Sequence, residues 1–138
     1  QVARMDAYGW AARAVPIVKA NTRKMHTAGG KIAVGTDGGG TVGYNFQGYN
    51  TPREVELLVE SGLTPMEALV AATRTGAELI GVQDTIGTVE SGKLADLLIL
   101  DANPLEKIGN IRAIRTVVLN GEVNPRNAFA YRASRPSQ

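Results

Sequence analysis

The 138-residue chain contains no cysteine. Disulfides and cysteine-ligated zinc are thereby excluded, while the redox compartment stays open because many secreted proteins also lack cysteine. It contains one histidine, His26, so its own residues cannot build a histidine-rich metal site. Aromatic residues are scarce at 5%, so any core must be mostly aliphatic. Charge of one sign is also lacking: 15 Lys plus Arg against 13 Asp plus Glu leave +2. Arg4, Arg13, Lys19, Arg23, Lys24 and Lys31 gather early against Asp6, and Arg126, Arg132 and Arg135 follow in the tail. They form no long run and no aromatic residues interleave with them. A solvated basic helix face is therefore the better reading, and no nucleic-acid partner is expected. No apolar run approaches the length of a membrane span, and no signal peptide is visible. The length also excludes a complete (β/α)8 barrel, which needs roughly 200 to 250 residues.

What is present is globular in composition, with 43% hydrophobic and 20% charged residues. Residues 11–28 read as a helix, with Val15, Val18, Thr22 and Met25 at helical spacing, Pro16 marking its first turn, and Gly29-Gly30 as its C-cap. Lys31–Thr36 is a short apolar run of strand type that leads into Asp37 and a glycine-rich, aromatic-dotted stretch, residues 38–50. Three T-x-x-E sequences then predict capped helices near 52–61, 65–74 and 76–80: Thr51–Glu54, Thr64–Glu67 and Thr75–Glu78. Gly62 and Gly81 sit where left-handed C-caps belong. After Gly81 the texture becomes β-like, with strands expected over Leu94–Leu100, Ile114–Leu119 and Glu122-Val123. The run Leu97–Leu100 reads as a strand buried on both faces. Asn120-Gly121 signals a hairpin. The chain is thus α/β first and β second, with a boundary near residue 82 and a loose tail over 126–138.

Asp37 is the residue of chemical interest. It ends a short strand and precedes a glycine stretch, the place where ligands gather in α/β folds. A carboxylate there could hold a metal or move a proton. Pattern alone favours a plain Asp-Gly turn by about two to one. Gly38, Tyr44, Asn45, Phe46, Tyr49 and Asn50 could line a pocket beyond it, or equally pack the stretch onto its scaffold. His26, at a helix C-terminus, reads as structural. Gly38–Gly40 lacks the spacing of a phosphate loop, so phosphate binding is remote. Ser61, Ser91 and Ser134 have no nearby base.

Several blocks together carry a resemblance. They are Gly35-Thr36-Asp37, the R-E-V-E-L-L-V-E-S-G-L-T-P-M-E-A-L-V-A-A-T run of Arg53–Thr73, A-E-L-I-G of Ala77–Gly81, I-G-T-V-E-S-G-K-L-A-D-L-L-I-L-D-A-N-P-L of Ile86–Leu105, and V-V-L-N-G-E-V of Val117–Val123. Over about residues 15 to 125 the chain resembles the C-terminal part of a metal-dependent amidohydrolase, of the imidazolonepropionase and prolidase-like branch. The resemblance implies a TIM-like barrel with a small composite β-sandwich. Residues 1–81 would be the C-terminal part of the barrel, with 31–36 its eighth strand. Residues 82–125 would be sandwich, and 126–138 a tail.

The resemblance also implies that Asp37 contributes to a mono- or binuclear metal centre, zinc or another divalent ion. There it would take a proton from metal-activated water and pass it to the leaving nitrogen of an amide, cyclic amide or dipeptide. The family's other ligands, a His-x-His pair and further histidines, are absent, and no ligand role is carried to His26. With Gln1 in place of Met, the expectation is an incomplete part of an enzyme, inactive by itself, with the N-terminal part supplied elsewhere. The alternative is a non-catalytic module that pairs with a separate chain. Uncovered apolar edges and a homo-oligomer are expected. A cytoplasmic location is favoured, with a signal upstream of Gln1 left open.

Overall fold

The computed structural model of the chain describes residues 7–37 and 48–125. Helices come first: α1 (Ala7–Thr27), α2 (Asn50–Glu60), α3 (Pro65–Ala72) and α4 (Arg74–Leu79). Strand β1 (Leu97–Leu100), a 3-10 turn (Ile108–Arg112), β2 (Ile114–Leu119) and β3 (Glu122–Pro125) follow. The three strands form one antiparallel sheet in the order β1-β2-β3. Where the sequence pattern leads to α/β first and β second, the described first part is helical and the second part carries the sheet.

The helix ends explain themselves from sequence. α1, α2 and α4 each finish with paired backward hydrogen bonds of the Schellman type. After α2, Gly62 N–H donates to Val59 O at 2.9 Å and Leu63 N–H to Leu58 O at 3.2 Å. The turn needs a left-handed residue, and Gly62 supplies φ of 108°. It also places Leu63 on Leu58, and both are buried. Gly29-Gly30 and Gly81-Val82 close α1 and α4 in the same way.

The helix starts are less uniform. The Thr64 box forms as the T-x-x-E pattern predicts. Thr64 Oγ1 accepts from Glu67 N–H at 3.3 Å, and Thr64 N–H donates to Glu67 Oε2 at 2.7 Å. The other boxes do not form. Tyr49 precedes α2 with helical dihedrals and no side-chain cap, so Thr51 lies inside the helix. Pro52 is tolerated there because the first-turn N–H groups have no partner within the helix. Between α3 and α4 only Thr73 intervenes, and its hydroxyl donates back to Leu69 O at 2.7 Å instead of capping forward. Thr75 is therefore also internal. Pro16, expected in the first turn of its helix, sits in the interior of α1. It leaves the Ala12 carbonyl without its usual donor on this exposed helix.

The core is small and aliphatic. Val55, Leu58, Leu63, Ala68, Ala71 and Ile111 are buried together, with Ile32, Val34, Leu69 and Ile108 packed against them. Ile111 and Ile108 come from the 3-10 turn, so the helical and β parts share this core. Residues 31–36 form no strand, contrary to the sequence expectation. A strand requires a ladder partner, and among the described residues none lies beside them. Val34 N–H donates instead to Ala71 O at the end of α3, at 3.1 Å.

In the sheet, Asn120 and Gly121 both take positive φ, 50° and 82°, as a two-residue hairpin of the I′ type demands. The hairpin is fastened to the residues before β1. Asn120 N–H donates to Asp96 Oδ1 at 2.7 Å and Gly121 N–H to Ala95 O at 3.1 Å. The Ala95-Asp96 and Asn120-Gly121 sequences are thus two halves of one turn. Leu97–Leu100 is not buried on both faces: Leu98 is 57% and Ile99 44% exposed. β1 is an edge strand in this sheet, and the described residues provide no second layer.

Replacing Thr64 by Ala removes the one capping box that forms and should lower stability by about 1 kcal/mol. Thr51→Ala, at an internal position, should change it by less than about 0.5 kcal/mol. Urea unfolding of both variants checks this, and equal losses would refute the assignment of caps.

Candidate functional site around Asp37

Asp37 follows the apolar segment that begins at Lys31. The segment is held at two points. Lys31 Nζ reaches Glu78 on α4 at 2.9 Å, and Val34 is bonded to Ala71 as above. The first of these is exposed and weak; the second, next to the core, fixes the path. Asp37 itself is exposed and has φ of 46°. Left-handed backbone is uncommon outside glycine, and aspartate is one of the residues that tolerates it. This is the backbone conformation that a turn aspartate adopts.

Of the other candidate residues, Asn50 is the first residue of α2 and half-buried. Gly38, Tyr44, Asn45 and Phe46 lie outside the described residues, as does the 126–138 tail. Tyr49, just before α2, is 56% exposed. His26 takes the structural role expected of it: its Nε2 lies 3.3 Å from Glu67 Oε1, joining the end of α1 to the start of α3. Two hydrogen bonds from Thr64, the backbone one foremost, hold the Glu67 carboxyl below the usual range.

A charged relay escaped sequence reasoning. Arg112 Nε donates to Glu56 Oε1 at 2.7 Å, and its Nη2 to Glu56 Oε2 at 3.3 Å. Arg53 Nη1 bonds Glu56 at 3.2 Å and Glu60 at 2.6 Å, and Lys19 on α1 pairs with Glu60. The Arg112 guanidinium also stacks 4.7 Å from the centroid of the Tyr49 ring. These contacts tie α1, α2 and the 3-10 turn to the residue that ends the glycine stretch. Arg112 is so far from Glu56 in sequence that no local spacing could reveal the pair. The hydrogen bonds from Arg112 hold the half-buried Glu56 carboxyl below its ordinary value, outweighing the opposing effect of burial. Burial pushes the Glu54 carboxyl up, against the opposing charge of Arg53.

Among the described residues no three His, Asp or Glu side chains converge in a way that could hold a metal ion. Protein metal centres usually need at least three ligands, and Asp37 offers one carboxylate. The described donor set does not fit a complete metal centre.

The amidohydrolase family's sequence profile matches residues 12–123. The chain belongs to the amidohydrolase family. It is 32% identical over 123 residues to the 5-methylthioadenosine/S-adenosylhomocysteine deaminase of Moorella thermoacetica, covering 75% of this chain and 28% of that protein. It is 39% identical over 85 residues to the imidazolonepropionase of Symbiobacterium thermophilum, covering 59% of this chain and 19% of that one. The crystal structure of a Xaa-Pro dipeptidase with bound methionine in the active site superposes with a TM-score of 0.71 at 35% identity, over 80% of this chain and 26% of the dipeptidase. The chain thus spans about a quarter of the length of these amidohydrolase relatives. The resemblance to the imidazolonepropionase and prolidase-like branch stands. Among the described residues no helix is long and apolar enough to cross a membrane.

Because Glu56 has its folded pKa depressed from 4.5, its pairing stabilises the fold above that pH and is lost as pH falls through the folded value. Wild type should therefore exceed Glu56→Gln in urea midpoint at pH 7, and the gap should shrink as the pH is lowered below 4.5. A gap independent of pH would contradict this.

Proposed function

We propose that the chain is the C-terminal portion of a hydrolase acting on carbon–nitrogen bonds of an amide, cyclic amide or dipeptide. In this reading residues 1–81 belong to a TIM-like barrel, with 31–36 as its last strand, and residues 82–125 to a composite β-sandwich. The observation that carries the reading is the position of Asp37. It is an exposed carboxylate, at the end of a segment anchored to α3 and α4, within the stretch matched by the family profile.

In that position Asp37 takes a proton from the attacking water and passes it to the leaving nitrogen as the C–N bond breaks. A carboxylate suits this because it can gain and lose a proton without leaving its place. A divalent metal, zinc or another, and its remaining ligands would come from outside this chain, as would most of the barrel. By itself the segment would not turn over substrate.

A non-catalytic module that pairs with a separate chain is the second reading. It draws on the same uncovered sheet, in which Val123 is 71% exposed. The two readings part at Asp37, which has no proton to move in a non-catalytic module.

In the active enzyme that carries this segment, Asp37→Asn should lower kcat by at least about 100-fold, the usual worth of a positioned proton carrier. Circular dichroism should remain that of wild type. Near-normal turnover by the variant would sink the proposal.

A further inference from the structure

Two contacts reach α3 from either side of one tight turn. His26, in the last turn of α1, brings its Nε2 to 3.3 Å from Glu67 Oε1. Past the turn, Val34 N–H donates to Ala71 O at 3.1 Å. Glu67 and Ala71 stand one helical turn apart, on the same side of α3. The Glu67 carboxylate is already oriented when His26 meets it. Its other oxygen, Oε2, accepts from Thr64 N–H and from Thr64 Oγ1, each at 2.7 Å.

The turn between these contacts has no slack. Gly29 N–H donates to His26 O and Gly30 N–H to Met25 O, each at 2.9 Å. A Cβ on Gly30 would lie 2.9 Å from that same Met25 oxygen, closer than side chains pack. Displacing the end of α1 therefore displaces the start of the 31–37 segment with it. Ile32 and Val34 rest on the core, so the segment would pivot there. Asp37 lies on the far side of that pivot from His26. The other hold on the start, the Lys31–Glu78 pair, uses an exposed lysine and is weak.

We infer that His26 is a positioning residue for Asp37: its contact with Glu67 fixes the start of the segment on α3, as Val34 fixes its middle, and the two together set where the carboxylate stands. The inference rests on the reading of Asp37 given above. It concerns turnover rather than affinity, because the segment carries the group that moves the proton.

The test uses the active enzyme that carries this segment. His26→Ala should lower kcat about two- to fivefold, the span that a partly exposed charged contact supports, and leave KM at its wild-type value. In the same variant amide hydrogen exchange at Val34 should quicken, while amides of α2 such as Leu58 keep their wild-type rates. His26→Gln, whose side-chain N–H reaches about as far as Nε2, should restore both readouts. Lys19→Gln, which breaks the pairing of α1 with Glu60 on α2, should leave both unchanged. An unmoved kcat in His26→Ala overturns the proposal, as does faster exchange spread evenly over α2, which would mark general loosening. So does a His26→Gln variant as slow as His26→Ala. An equal loss in Lys19→Gln also overturns it, because the effect would then belong to the docking of α1 as a whole. Asp37→Asn in the same series separates the two readings. Lost turnover there, with kcat and Val34 exchange unmoved in His26→Ala, defeats only the positioning role. Retained turnover defeats the assignment of Asp37 itself, while exchange at Val34 still reports on the contact.

Discussion

Ile111 and Arg112 are neighbours in sequence, and they do two different jobs at the same joint. Ile111 enters the core between α2 and α3, while Arg112 pairs with Glu56 on the flank of α2. On α2, Val55 and Leu58 face that core, and Arg53, Glu56 and Glu60 form the charged row beside it. The helix can satisfy both partners in only one rotation about its axis. Apolar burial is non-directional and would tolerate some slippage. A two-point guanidinium–carboxylate contact would not. The helical part and the sheet are thus set relative to each other by consecutive residues, one supplying the attraction and the other the register. A half-buried pair of this kind adds little net stability when intact, but leaves an unpaired charge when either partner is lost.

Much of this architecture was legible in the sequence, for reasons that differ from place to place. Helix ends were read well because a Schellman turn is a local device. One glycine at the right offset decides it, and Gly29, Gly62 and Gly81 all take positive φ. The Asn120-Gly121 hairpin was legible for the same reason. Capping boxes were read less well. The pattern T-x-x-E states that a threonine can cap, not that a helix starts there. Thr51 was overtaken by a helix that begins one residue earlier, and Thr75 lies inside α4, which begins at Arg74. The segment 31–36 has the composition of a strand, but strand formation depends on a neighbour and not on composition alone. The Glu56–Arg112 pair had no local signature of any kind. At the candidate site, Asp37 was found from its place after an apolar run, while the anchors that hold that run, Ala71 and Glu78, were invisible until the chain was folded.

The described surface is unusually apolar where the sequence pattern demands burial. Leu94, Leu98, Leu119 and Val123, all on or beside the sheet, are each at least half exposed. The same holds for Ile17, Val18 and Met25 on α1. Exposed edges and faces of this sort promote association in any chain that presents them. The sequence of β1, four consecutive apolar residues, suits a strand with neighbours on both faces. The relatives are roughly four times as long as the matched portion here. Both facts agree with the proposal that this segment packs against protein outside it.

The turn at Asp37 reconciles two readings that compete on sequence grounds. An Asp-Gly turn and a functional carboxylate are usually weighed against each other, yet here the turn conformation is what places the carboxylate. Asp37 takes a left-handed backbone, and an aspartate accepts that conformation at modest cost. The segment cannot slide, because Val34 is bonded to the end of α3 and packed on the core. The scaffold under it includes the one helix whose capping box forms completely, at Thr64. Rigid support below and a sharp turn above are the usual requirements for holding a reacting group in place. The local chemistry that makes Asp37 look ordinary as a turn residue is therefore the same chemistry that suits it to the proposed role.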